Sequence, residues 1–389
     1  MASVEIHFTR QEFETRIDSA RDLLRKRGLS ALLIFAPESH YYLTGFDTTG
    51  FVYFQCGVLT AEDTPITVLT RRPDQQQALD RSILTDVRIW YDAEGVDPAR
   101  DLKAILDKKG LEGEKIGVEL NNYGLTGANH QRLRLALDGW CQIEDGSDII
   151  RSLRVVKSEA EIAYVRRAAR LADDALTAMM GATRPGILES EITAAGLTAM
   201  LVGGGDVPPG SPLVNSGKRA LYGRGVAGPR RLDADDQLTI ELAATYLRYN
   251  ACIMRTLVIG EPHPRHPEMF KITREAIAAM TEAARPGEPL GRIDEAHRRV
   301  YDGAGYQNHR FAACGYSLGA TYRPSWMDVP PMLYAGNPME ARPGMVLFLH
   351  AICAIADLGL GMSIGHTILI TQDGREVLSR LPHEFCVVT

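Results

Sequence analysis

A chain of 389 residues, 45% hydrophobic and 24% charged, exceeds one ordinary hydrophobic core and predicts two domains. Its net charge of -6, with no Lys/Arg run or basic helix face, excludes a nucleic-acid footprint and leaves a small molecule as the expected ligand. No stretch approaches the ~18 apolar residues of a membrane span, MASVEIHFTRQEF at the start lacks a signal pattern, and six scattered cysteines form no CxxC pair, so a cytoplasmic protein with free thiols is expected.

Periodicity predicts a helix over 13–27, closed by Gly28, followed by the apolar strand ALLIF at 31–35. A second strand, ITVLT at 66–70, a helix over 73–84 and the strand KIGVEL at 115–120 continue an α/β alternation to Gly146. Residues 1–150 are therefore assigned to an α/β N-terminal domain. Beyond it, Ser158 with Glu161 three residues on forms a capping box ahead of an amphipathic run. Helices over 159–181, 188–202, 266–284 and 292–303 then alternate with hairpin strands, which predicts an α+β domain over 151–389.

Two hairpins carry the polar residues of interest. In TIELAATYLRYNACIMRTLVIG, residues 239–260, a turn centred near Tyr246 and Leu247 pairs Glu241 with Cys252, their Cβ atoms about 4.5–5.5 Å apart. In GMVLFLHAICAIADLGLGMSIGHTILIT, residues 344–371, a turn centred near Leu358 sets His350 opposite His366. An acid among aliphatic residues on an inner strand points to a buried site.

VVKSEAEI, MRTLVIG, ARPGMVLFLH and GHTILIT resemble the creatinase/prolidase superfamily over essentially the whole chain. The resemblance implies an α/β N-terminal domain followed by a pita-bread α+β catalytic domain. It places the five metal-ligand positions of the metal-dependent members (two Asp, a His and two Glu) on Glu241, Cys252, Tyr316, His350 and Gly365, none retained in kind. The substrate-side His after NSG falls on or near Arg224. FTRQEFETR, YYLTGFD, IELAATYLRYNACIMRTLVIG and CGYSLGATYRPSW are similar to the metal-free ectoine hydrolase branch, where Glu and Tyr stand at two of those positions. That similarity implies hydrolysis of a C–N bond in a small zwitterionic amidine or guanidine, with no metal and no cofactor.

Such a ligand asks for an acid opposite its cation and an Arg opposite its carboxylate. Glu241 supplies the first, as nucleophile or general base, with His350 or His366 moving the proton and Tyr316 steadying the tetrahedral centre. Arg224, Arg219 and Arg323, in Gly- or Pro-flanked loops, are candidates for the second. Trp326 and Tyr322 are expected against the planar cation, and Cys252 beside it. By the resemblance, the protein is a homodimer in which the first domain of one subunit, through Phe46, Asp47, Arg71 and Arg72, approaches the other's site.

The competing readings are a structural buried acid at Glu241, core histidines at 350 and 366, and a small buried thiol at Cys252. Creatinase-like amidinohydrolysis is an alternative activity. Another is an Xaa-Pro dipeptidase-like enzyme with a single zinc on Glu241, Cys252, His350 and His366, compatible in ligand type. A non-catalytic binding module is the third. His263, His266, His297, His309 and His383 are read as solvated or capping groups.

Overall fold

The computed structural model describes residues 6–389; the first five residues of MASVEIHFTRQEF lie outside it. The chain divides into two compact units between Arg154 and Val155.

The first unit opens with α1 (Arg10–Arg27). The Thr9 side chain accepts from the Glu12 N–H at its start, and Gly28 ends it at φ 64°, a left-handed turn that glycine adopts without strain. There follow β1 (Ala31–Ile34), α2 (Pro37–Thr44), β2 (Cys56–Thr60), β3 (Thr67–Arg71), α3 (Gln75–Asp80) and β4 (Asp86–Trp90). The unit closes with α4 (Pro98–Lys108), β5 (Lys115–Val118), α5 (Gly127–Leu137), β6 (Gln142–Asp145) and α6 (Ser147–Arg154), so residues 151–154 stay with this unit. Its six strands form a mixed sheet in the order β4-β3-β2-β1-β5-β6, with β2 antiparallel to both neighbours and the other pairs parallel. The helix expected over 73–84 is only the short α3 after a 3-10 turn at Arg72–Asp74. Phe46 is 1% exposed and packs in this unit's core with Leu43 and Leu59. It is a core residue, and the expectation that it reaches out to a partner's site is corrected.

The second unit begins with α7 (Glu159–Ala182), whose Ser158 and Glu161 complete the capping box. It continues through α8 (Glu189–Val202), β7 (Leu213–Ser216), β8 (Asp236–Tyr246), β9 (Tyr249–Ile259), α9 (His266–Ala283) and α10 (Gly291–Gly303). It ends with β10 (Gly315–Ser317), β11 (Met332–Leu333), β12 (Val346–Ile355), β13 (Leu360–Thr371), β14 (Gly374–Val377) and β15 (Cys386–Val388). The strands form one sheet in the order β11-β10-β12-β13-β9-β8-β7, with β14 added to β13 and β15 to β9.

Alternation along these strands separates two faces. Leu238, Ile240 and Leu242 of β8 and Ile253 and Leu257 of β9 pack on Leu171, Leu176 and Met179 of α7 and Ile192 of α8. Leu347 and Leu349 of β12 and Ile364 and Ile368 of β13 pack on Met269, Ile277 and Met280 of α9 and Ile293 of α10. Burying each such side chain contributes roughly 1.5–3 kcal/mol. The apolar face thereby fixes which residues are left on the other.

Candidate active site

The β8–β9 turn is made by Leu247 and Arg248, both with positive φ (46° and 70°), as a two-residue hairpin turn of type I′ requires. The Arg248 N–H donates to Asp206 Oδ2 at 2.9 Å and holds that turn. Glu241 consequently pairs with Met254, and Cys252 with Ala243. The expected Glu241–Cys252 pair is corrected to a diagonal: the shift is two residues, so both side chains keep the same face.

In the β12–β13 hairpin His350 pairs with Gly365 and Leu349 with His366. The shift here is one residue, and it reverses the outcome. His350 shares the face of Glu241, Met254 and Gly365, which lie in register across β8, β9 and β13. His366 points the other way, to the helices, where Nε2 meets Thr281 Oγ1 at 3.0 Å and Nδ1 meets His383 Nε2 at 3.2 Å. It is removed from the candidate catalytic group, and so is any single zinc site that needs Glu241 and His366 together.

β10 completes the site face by setting Tyr316 beside Phe348. The Trp326 indole N–H donates to Tyr316 Oη at 2.8 Å, and the Tyr316 hydroxyl donates to Glu241 Oε1 at 3.0 Å. The acid is 8% exposed. Burial pushes its carboxyl from 4.5 up to about 7, opposed by the Tyr316 hydrogen bond and the charge of Arg224. Near neutrality it is therefore divided between ionised and protonated forms. The His350 ring centroid lies 5.9 Å from that of Tyr316, burial lowers His350 to about 4, and its buried Nδ1 has no hydrogen-bond partner among the described residues. It is a neutral imidazole with a free position.

The five ligand positions implied by the resemblance can be tested on these contacts. Glu241, Cys252, Tyr316 and His350 do converge on one face. Burial pushes the Cys252 thiol and the Tyr316 phenol well above their ordinary values, and the nearby Glu241 charge adds to both. Both stay protonated. At Gly365 a Cβ would lie 2.6 Å from Phe348 Cζ and 3.0 Å from Met254 Cβ, so the aromatic ring fills the space of the fifth donor. A pair of hard or borderline cations needs several bridging carboxylates. One carboxylate with a thiol, a phenol, an imidazole and a filled fifth position does not fit it.

The remaining candidates separate clearly. Arg224 is exposed, and its charge acts on Glu241. Arg219 is not free for a ligand: it donates to Glu189 Oε2 at 2.9 Å and to the Val226 carbonyl at 2.7 Å. Glu189 is fully buried and also accepts from the Ser216 and Gly228 main chain, so Arg219 is corrected to a residue that shapes the loop carrying Arg224. Arg323 is exposed, whereas Trp326 is buried and joins the site through Tyr316. Tyr322 is buried under the Arg248 guanidinium, 4.7 Å from its ring centroid, which occupies the face expected to meet a substrate cation. In the first unit, the half-buried Asp47 accepts through its carbonyl from Gln77 Nε2. Arg71 there pairs with Asp92 and stacks 4.0 Å from the Tyr53 ring.

Two participants were not anticipated. Phe348 decides the fate of Gly365, and only its two-residue spacing from His350 on the same strand could have signalled that. Asn215 of β7 pairs with Thr239 on the site face, and its buried Oδ1 has no partner among the described residues. The polar residue in the NSG motif was its signal. Beside it, Thr239, Thr256 and Ser363 form a row of hydroxyls 3.2 and 2.9 Å apart.

Residues 163–372 match the model of metallopeptidase family M24, and residues 16–156 match the creatinase/prolidase N-terminal domain. Ectoine hydrolase of Halomonas elongata is 28% identical over 403 aligned positions that cover all of both chains. The Xaa-Pro dipeptidase of Pyrococcus horikoshii is 30% identical over 278 positions, 71% of this chain and 76% of that protein. A recombinant prolidase from Thermococcus sibiricus shares the fold, with a TM-score of 0.88 at 20% identity over 97% of this chain and 99% of that one. The two domain matches, spanning both units, make this chain a member of the creatinase/prolidase superfamily, a hydrolase with a creatinase-type N-terminal domain and an M24 pita-bread domain.

Proposed function

We propose that the protein hydrolyses a C–N bond in a small zwitterion bearing an amidinium or guanidinium group, with the opening of ectoine to N-acetyl-diaminobutyrate as the leading reaction. The observation that carries this reading is the buried Glu241, held by Tyr316 and within the field of Arg224. A substrate cation beside Glu241 draws its pKa back down and ionises it, while the substrate carboxylate meets Arg224. Water then adds to the amidinium carbon, and its proton passes to the Glu241 carboxylate. The proton moves on to the ring nitrogen, with His350 as the neighbouring neutral base, and the C–N bond breaks. One water is consumed; an acetamide and an ammonium group are formed.

Similarity to ectoine hydrolase over the full length of both chains supports the substrate class. A second reading, cleavage of Xaa-Pro dipeptides, is favoured by the 30% identity to the Pyrococcus horikoshii enzyme, and the filled position at Gly365 counts against it. The deciding experiment is a turnover screen with ectoine, hydroxyectoine, creatine and proline dipeptides, each with and without chelator. Ectoine-type turnover that survives chelation is expected. Chelator-sensitive dipeptide cleavage with no amidine turnover would overturn the proposal.

A cytoplasmic homodimer belongs to the same proposal. No helix among the described residues is long and apolar enough to cross a membrane. Sedimentation as a single 42.8 kDa chain would remove the dimer.

A further inference from the structure

A second polar cluster lies inside the same unit. Asp294 and His297 stand three residues apart on α10, so they share one helix face, and Cys314 enters β10 beside them. All three are 0% exposed, and their donor atoms lie within 4.8 Å of one another. His297 Nδ1 is 3.7 Å from Asp294 Oδ1. Among the described residues neither carboxylate oxygen of Asp294 and neither ring nitrogen of His297 has a hydrogen-bond partner. The Cys314 thiol meets the Leu333 carbonyl at a long 3.8 Å and lies beside the Asp294 carboxyl, whose charge helps to raise it. The expectation that His297 is solvated or caps a helix is therefore wrong. A carboxylate and an imidazole buried this completely are strongly unfavourable unless something supplies their partners.

Their chemistry specifies the partner. Burial lowers His297 to about 3, which leaves a neutral ring with its lone pair available. Carboxylate oxygen, imidazole nitrogen and thiolate sulfur together suit a borderline divalent ion of the zinc class, and sulfur disfavours calcium or magnesium. Tetrahedral zinc, with bonds of about 2.0–2.3 Å, sets its donors roughly 3.5 Å apart, close to the 3.7 Å between His297 Nδ1 and Asp294 Oδ1. Burial raises the Asp294 carboxyl and holds the Cys314 thiol well above its ordinary value, so binding releases their protons. Two anionic ligands and a divalent ion then sum to zero charge in a shell that includes Ile293, Tyr301 and Leu333.

We propose that Asp294, His297 and Cys314 bind one zinc-class cation in a structural site distinct from the Glu241 pocket, tying α10 to the segment that enters β10. Tyr316, the donor to Glu241, lies two residues after Cys314, and the His350 N–H donates to the Cys314 carbonyl at 2.9 Å. The ion thus braces the two strands that carry Tyr316 and His350.

The test is elemental analysis of the purified full chain after dialysis against zinc, followed by replacement of zinc with cobalt. One ion per chain is expected, together with a thiolate-to-cobalt charge-transfer band. The band should vanish in Cys314→Ser and in His297→Gln and persist in Cys252→Ser, and removal of the ion should lower the melting temperature. A folded wild-type chain that takes up neither zinc nor cobalt overturns the site. So does a band lost in Cys252→Ser and kept in Cys314→Ser. The latter would move the ion to the Glu241 pocket and count against the metal-free hydrolase as well, which separates the two failures.

Discussion

Replacing Glu241 with Gln tests the burial of the carboxylate without any knowledge of the substrate. The group sits at about 7 in the fold, against an ordinary value of 4.5. Between those values the folded chain retains a proton that the unfolded chain has released, so stability falls as pH rises through the window. The interval between 4.5 and about 7, at about 1.4 kcal/mol per pH unit, makes roughly 3 kcal/mol. That contribution is complete below pH 4.5 and gone once the pH has passed 7. Gln has the same shape, keeps an oxygen for the Tyr316 hydroxyl and cannot ionise. Urea unfolding followed at pH 5 and pH 8 should therefore show the variant gaining roughly 2.5 kcal/mol over the parent across that range. Glu119 in the first unit is also buried and raised to about 7, but it titrates in both proteins and cancels. Parallel stability curves would mean that the carboxylate is well solvated, and its service as a base near neutrality would fall with that result. The same variant should lose turnover.

Removing the hydroxyl in Tyr316→Phe deletes the hydrogen bond that holds Glu241 down. A hydrogen bond to a charged group is worth about 1.5–3 kcal/mol, so the acid limb of the kcat/KM profile should move up by about 1–2 pH units; an unmoved limb contradicts the contact. Gly365→Ala forces a Cβ into the Phe348 ring and should destabilise the protein by about 1–3 kcal/mol through overpacking. Phe348→Leu should recover much of that loss in a double-mutant cycle read by thermal melting, and additive losses would show that the two side chains do not meet. His366→Ala should lower the melting temperature by breaking the contacts to Thr281 and His383 while leaving kcat/KM nearly unchanged; a collapse of turnover in a stably folded variant would return His366 to the site.

The site has a physical logic that the metal-dependent arrangement would not share. Ligating carboxylates repel one another and require a cation between them. Here one acid remains, its first oxygen met by a phenol whose own oxygen is held by Trp326. With the fifth position filled by Phe348, the pocket presents a single buried negative charge, the complement of one delocalised cation.

The amino-acid sequence by itself determined what depends on local rules. The capping box at Ser158 and Glu161, the left-handed Gly28 and the apolar periodicity located α1, α7, α8, α9 and α10 to within a few residues, because caps and periodicity act within a turn or two of chain. Family motifs brought Glu241, Tyr316 and His350 to one site in expectation, and they share one face in the fold. The tertiary structure alone decided register and occupancy. A turn of two left-handed non-glycine residues at Leu247 and Arg248 moved the Glu241 partner from Cys252 to Met254. A single-residue difference in the next hairpin sent His366 to the helical face, since side chains on a strand alternate and a slip of one reverses them all. Whether Arg219 meets a ligand or Glu189, and whether His297 meets water or Asp294 and Cys314, depends on residues distant in sequence. Those partners are selected by packing in three dimensions, which no local pattern records.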